Sequence, residues 1–163
     1  MEANFERENG VLARLNERFG LDIQGAAVKH NRVYLSIPEE AFMEALKFLR
    51  NELDFSHLCA ITGLDTGENF EFLYHIAEPG GIVVTLKYKT KREDPVVIQT
   101  VLPVYPGATF YERELEGLLG VTVEGLPEGR QYPLPDNWPK GQYPLRKDWK
   151  PAKQNIDEPT KGV

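Results

Sequence analysis

The 163-residue chain has one cysteine, Cys59, and that scarcity excludes more than any other feature of its composition. A single thiol cannot build a disulfide framework, a four-cysteine zinc site or an iron–sulfur cluster. Long apolar runs are also missing, since none approaches the roughly 20 residues that a membrane helix needs. The opening residues, MEANFEREN, are too charged for a secretory leader. Cations are short: 19 Lys and Arg stand against 25 Asp and Glu, a net charge of −6. That balance argues against a nucleic-acid partner, which requires a basic footprint. The composition is that expected of a cytoplasmic protein of about one domain's length.

Proline is what the chain has in an unusual place. Seven of its 12 prolines, Pro127, Pro133, Pro135, Pro139, Pro144, Pro151 and Pro159, fall in the last stretch. Charge changes at the same point. Residues 1–126 carry 12 Lys and Arg against 20 Asp and Glu, whereas residues 127–163 carry 7 against 5. The chain therefore divides into an acidic body, 1–126, and a mildly basic tail, 127–163. Frequent proline excludes long helices and central strands from the tail. Its aromatics, Tyr132, Trp138, Tyr143 and Trp149, set it apart from a plain disordered linker. Anchors on a pre-extended backbone suit a segment that lies along a surface. That surface could belong to the chain's own body or to a partner, because both use the same chemistry.

Within the body, the spacing of Leu12, Leu15 and Phe19 predicts a helix over Phe5–Phe19, with Gly20 in the left-handed position after it. Asp22–Lys29 and Arg32–Ile37 read as a strand pair joined at His30-Asn31. Pro38 opens a second helix at its first position, with an apolar stripe at Ala41, Phe42, Ala45, Leu46, Leu49 and Leu53. Strands follow over His57–Thr62, Phe70–Ile76 and Ile82–Tyr88, with short turns that imply an antiparallel meander. Lys87–Asp94 reads as a charged edge or loop and Thr100–Gly107 as an extended connection. A third helix spans Ala108–Leu119 and ends at Gly120. The predicted class is α+β: a small antiparallel or mixed sheet with two to three helices, then the extended proline-rich tail.

Catalytic signals are sparse. His57 and Cys59 would share a face of a strand, but a metal site needs three or four ligands. His30 sits in a turn, and His75 lies opposite Tyr74 on its strand. Gly63…Gly67 and Gly80-Gly81 lack the strand–loop–helix context of phosphate-binding motifs. Thr62–Asp65 reads as a turn closed by its Asp. Glu112-Arg113-Glu114 reads as a solvated, dipole-compatible helix start or as a charged patch that pairs across an interface. A stand-alone enzyme or ligand-binding domain would have to use a cleft near Asp65, His57 and His75. The profile favours an assembly subunit over such an enzyme.

Several motifs then converge. DFSHLCAITGLDTGENFEFLYHI, LKYKTKREDP, VYPGATFYEREL with LLGV, and LPDNWPKGQYPLRKDW follow one another between Asp54 and Trp149. This run resembles the thirty-kilodalton subunit family of respiratory complex I (NADH:quinone oxidoreductase) and its relatives in membrane-bound nickel–iron hydrogenases. The ERE at Glu112–Glu114, the PLRKD at Pro144–Asp148 and the W-P-x-G at Trp138–Gly141 are its most specific parts. ITGxD at Ile61–Asp65 and REDP at Arg92–Pro95 add to it. The resemblance implies a peripheral subunit on the cytoplasmic side of a membrane, with no catalytic, metal or cofactor-binding residue of its own. Iron–sulfur clusters, and a nickel–iron centre or quinone, would belong to partner subunits. The partners implied are the large subunit and a small iron–sulfur subunit. The residues expected at the interface are Glu112, Arg113, Glu114, Tyr132, Trp138, Tyr143, Leu145, Arg146, Lys147, Asp148 and Trp149. Two segments depart from the usual complex I form. Glu116–Val121 lacks its F-G-I, and Gly125–Gln131 lacks its G-H-P-D-x-R-R. Both are more like the hydrogenase-type relatives, which points to an energy-converting hydrogenase or ferredoxin-driven complex, with the NADH:quinone enzyme as the alternative.

Overall fold

A computed structural model describes residues 5–151. Helix α1 (Glu6–Phe19) leads into strands β1 (Gly25–Lys29) and β2 (Arg32–Ser36), then helix α2 (Glu39–Glu52). Strands β3 (His57–Asp65), β4 (Asn69–Ala77) and β5 (Val83–Lys91) follow. Strand β6 (Val97–Gln99), a short 3-10 helix (Pro106–Ala108), helix α3 (Thr109–Leu119) and strand β7 (Thr122–Glu124) complete the body. Beyond β7 the described residues form turns and extended chain.

The principal sheet is mixed, in the order β1-β2-β5-β4-β3. The β3-β4-β5 meander is antiparallel as predicted, and β5 then closes against β2 in parallel, with Tyr34 beside Thr85. Strict alternation in β4 puts Phe70, Phe72, Tyr74 and Ile76 in the core, each fully buried. The α2 stripe meets them: Phe42 lies 4.7 Å from the Tyr74 ring and 4.4 Å from the Tyr88 ring. Helix α1 buries Leu15 and Phe19, and Phe19 meets Phe48 edge-on at 5.5 Å. Helix α3 lies over β3, where Gly63 leaves room for Leu115 and Leu119; a Cβ there would collide with both leucine side chains. All three helices therefore pack on the face of the sheet that carries the β4 aromatics.

Four local expectations are corrected. Gly20 is right-handed (φ −53°), so α1 ends without a left-handed cap. Pro38 is extended and precedes the first turn of α2 instead of standing in it. Strand β3 runs on to Asp65 and β5 to Lys91, because each is paired along its length with β4. The segment after β5 is not only a connection: β6 pairs in parallel with β7, Ile98 beside Val123. In addition, the register slips between Leu58 and Ala60, so Cys59 is the extra residue of a bulge and does not share a regular strand face with His57.

Candidate partner interface

The C-terminal segment is fastened to one corner of the body by charge and backbone hydrogen bonds. Thr62–Asp65, expected as a turn, is the end of β3, and Asp65 closes the turn that follows it by accepting the Gly67 N–H at 2.8 Å. Its other carboxylate oxygen accepts the Lys147 N–H at 2.8 Å and lies 3.2 Å from Arg92 Nε. The Asp65 side chain is only 1% exposed, so this ion pair is made away from water. Arg92 also pairs with Asp148, and Lys147 Nζ donates to the Thr66 carbonyl at 3.0 Å.

Arg146 is the centre of the fastening. It meets Asp94 in bidentate fashion at 2.6 and 2.8 Å. Its Nε donates to the Leu119 carbonyl at 2.6 Å and its Nη2 to the Gly120 carbonyl at 3.3 Å. These are carbonyls that the end of α3 leaves without helical partners. The Arg146 hydrogen bond holds the Asp94 carboxyl below its usual range. The guanidinium also lies 4.7 Å from the Tyr143 ring centre and 5.5 Å from that of Phe70. Tyr143 in turn covers Gly120, whose left-handed φ of 70° and closeness to the ring both call for glycine. Leu145 N–H reaches the Leu118 carbonyl at 3.0 Å. Trp138 and Trp149 stack obliquely at 6.1 Å, and both indole N–H groups donate to Gln142.

Of the expected interface residues, Tyr143, Leu145, Arg146, Lys147, Asp148 and Trp149 thus form one cluster against α3 and the β3–β4 turn. Trp138 joins it through Trp149. Arg113 sits apart and donates to the Pro127 carbonyl at 2.7 Å. Glu114 borders a shallow depression of about 240 Å³ with Leu118 and Leu145. Glu112 is not a solvated helix start: it is 0% exposed and accepts from the Val101 N–H at 2.6 Å and the Thr100 hydroxyl at 2.7 Å. It orients the chain's own 100–101 segment, and its carboxylate offers no surface to a partner. Burial pushes its carboxyl up from the usual range, against both hydrogen bonds.

Three large apolar side chains of this region face outward. Phe110 (64% exposed) meets Tyr132 (41% exposed) edge-on at 5.3 Å, and Leu145 is 53% exposed. A cleft of about 410 Å³ separates α3 from the tail between Arg113, Tyr132, Lys140 and Tyr143. Exposed aromatic and aliphatic side chains on a braced scaffold are suited to binding another protein surface. Arg92, Asp94, Phe70 and Phe110 were not among the expected interface residues; the REDP motif held the signal for the first two.

The alternative cleft does not form. His57 and Asp65 stand at opposite ends of β3, paired with Ala77 and Phe70 respectively. His75 lies on the same face as His57 and opposite Asp65, 3.0 Å from Thr85 Oγ1 and 3.4 Å from Thr62 Oγ1. Among the described residues no three His, Cys, Asp or Glu side chains are grouped to hold a metal ion.

Comparison with known proteins agrees with this architecture. Residues 35–155 match the family described as "Respiratory-chain NADH dehydrogenase, 30 Kd subunit". The chain is 32% identical over 143 residues to a subunit of the F(420)H(2) dehydrogenase of Methanosarcina mazei, covering 85% of this chain and 89% of that protein. It is 33% identical over 123 residues to membrane-bound hydrogenase subunit beta of Pyrococcus furiosus, covering 73% and 70%. A chain in the structure of the membrane-bound sulfane sulfur reductase, an archaeal respiratory membrane complex, superposes with a TM-score of 0.79 at 25% identity, covering 89% of this chain and 86% of that one. The relatives are named as subunits, and the hydrogenase and the sulfane sulfur reductase are named as membrane-bound; no described helix of this chain is long and apolar enough to cross a membrane. The chain is a member of the 30 kDa subunit family of the respiratory-chain NADH dehydrogenase.

Proposed function

We propose that the chain is a non-catalytic docking subunit of a complex-I-like membrane oxidoreductase, held peripherally on the cytoplasmic side. It binds the large subunit, of the quinone-site or nickel–iron type, through α3 and the fastened tail, and sits near a small iron–sulfur subunit. Iron–sulfur clusters, and the nickel–iron centre or quinone, reside in those partners. The observation that carries the reading is the exposed Phe110, Tyr132 and Leu145 on a surface braced by Arg146 and Asp65. The membrane-bound hydrogenase relative supports an energy-converting hydrogenase or ferredoxin-driven complex, with the NADH:quinone enzyme as the alternative.

The test is co-purification of the tagged full chain with its companion subunits. Truncating a buried interfacial anchor costs about 2 kcal/mol or more. The Phe110→Asp/Leu145→Asp pair is expected to abolish recovery of the large subunit and to leave the melting of the free chain unchanged. Recovery at the wild-type yield would refute the assignment of this surface.

A further inference from the structure

Among the described residues, the face of the sheet opposite the helices is bare, and its charge is the reverse of the chain's. Cross-strand pairing puts Lys29 beside Arg32, Lys87 beside Leu73, Lys89 beside Glu71 and Lys91 beside Asn69, all on this face. It therefore carries five cations, Lys29, Arg32, Lys87, Lys89 and Lys91, against one strand carboxylate, Glu71, in a chain of net charge −6. Only Lys87 is bonded to Glu71, at 3.2 Å. Lys91 reaches Glu93 beyond the strand, at 3.7 Å with both side chains largely in water.

The centre of this face is apolar and concave. A hollow of about 330 Å³ is bordered by Ala27, Tyr34 and Leu73, with the nearly buried Thr85 as its floor and Lys87 at its rim. Five strands spaced about 4.8 Å apart and up to nine residues long give a surface about 20 Å by 30 Å, the scale of one partner's share in a standard protein interface. An apolar centre within a charged rim is the anatomy of a protein-binding patch.

We infer that this bare sheet face is a second docking surface, for a partner protein surface that presents carboxylates around a projecting apolar side chain. The inference rests on the assembly reading above and adds a contact independent of the tail. Five cations around a single strand carboxylate need further carboxylates opposite them for electrostatic complementarity. The hollow needs a side chain to fill it. An anionic lipid surface would supply the charge but nothing for the hollow, and the acidic body as a whole is repelled by it.

The test uses the full chain in its assembled complex. The triple variant Lys29→Glu/Arg32→Glu/Lys89→Glu is compared with wild type for recovery of companion subunits at physiological ionic strength. Placing three acids against an acidic partner is expected to reduce recovery by about tenfold or more, with the melting of the free chain unchanged. Separately, Lys89→p-benzoylphenylalanine in the otherwise native chain is expected to crosslink on illumination to an acidic segment of another subunit. That measurement decides the matter if the triple variant does not fold. Unchanged recovery, a crosslink to residues 152–163 of the same chain, or a crosslink to lipid only would each overturn the inference. If the wild-type chain recovers no companion, the assembly reading fails and this one falls with it.

Discussion

Arg146→Ala should release the tail from the body without unfolding the body. The side chain supplies a charged donor to the carbonyls of Leu119 and Gly120 and a bidentate pair with Asp94. A hydrogen bond to a charged group contributes about 1.5–3 kcal/mol, and the longer bond to Gly120 falls below that range. Asp94 is 58% exposed, so its pair adds at most about 1 kcal/mol after screening by water. Together the loss is about 2–4 kcal/mol in the equilibrium between fastened and released tail. At about 1.4 kcal/mol per tenfold, opening becomes roughly thirtyfold to a thousandfold more frequent. Hydrogen exchange reads this directly. The amides of Leu145 and Lys147, bonded to Leu118 and Asp65, should exchange faster by that factor. The amides of β4 should not change, because local opening does not require global unfolding. Arg146→Lys should fall between the two, keeping charge but losing the planar fork. Unchanged Leu145 and Lys147 amides, or an equal rise in β4, would refute the reasoning.

Two further outcomes follow from the core. Gly63→Val raises strand propensity but drives a side chain into Leu115 and Leu119, so overpacking of about 1–3 kcal/mol should lower the melting temperature by about 2–4 °C per kcal/mol; a rise would show that α3 yields there. Glu112 has a raised carboxyl pKa, so its protonated form is favoured in the folded chain, and the wild type loses this contribution as pH rises from its unfolded value of about 4.5 through the folded one. Denaturant melts between about pH 4 and 7 should show Glu112→Gln gaining on the wild type as pH rises, and a gap that narrows would reverse the assignment.

What the sequence displayed and what it concealed divide by the range of the contacts. The β4 alternation and the α2 stripe are written in adjacent residues, and both were legible. Strands β6 and β7 are three residues each and pair across α3, so neither carries a pattern of its own. Gly20 occupied a place where glycine often turns left-handed, yet the next residues bond back to Phe19 and the helix needs no such cap. Glu112 was readable in part. It stands at the spacing of Ala108, Leu115 and Leu119, the buried stripe of α3, and that position outweighed its charge. The Arg146–Asp94 pair joins residues 52 apart, which no local pattern reveals.

The parallel contact of β2 with β5 bears on the order in which the chain assembles. Arg32 meets Val83 across about fifty residues of intervening chain, whereas β3, β4 and β5 are linked by short turns. Closing the longer loop costs more chain entropy, which is recovered only once the meander presents a formed edge. On that ground the α1-β1-β2 unit should dock late, with the β2–β5 pairing as its one strand seam on a template already built. Changes along that seam should act mainly on how fast the native chain opens, whereas changes within the meander should slow its folding.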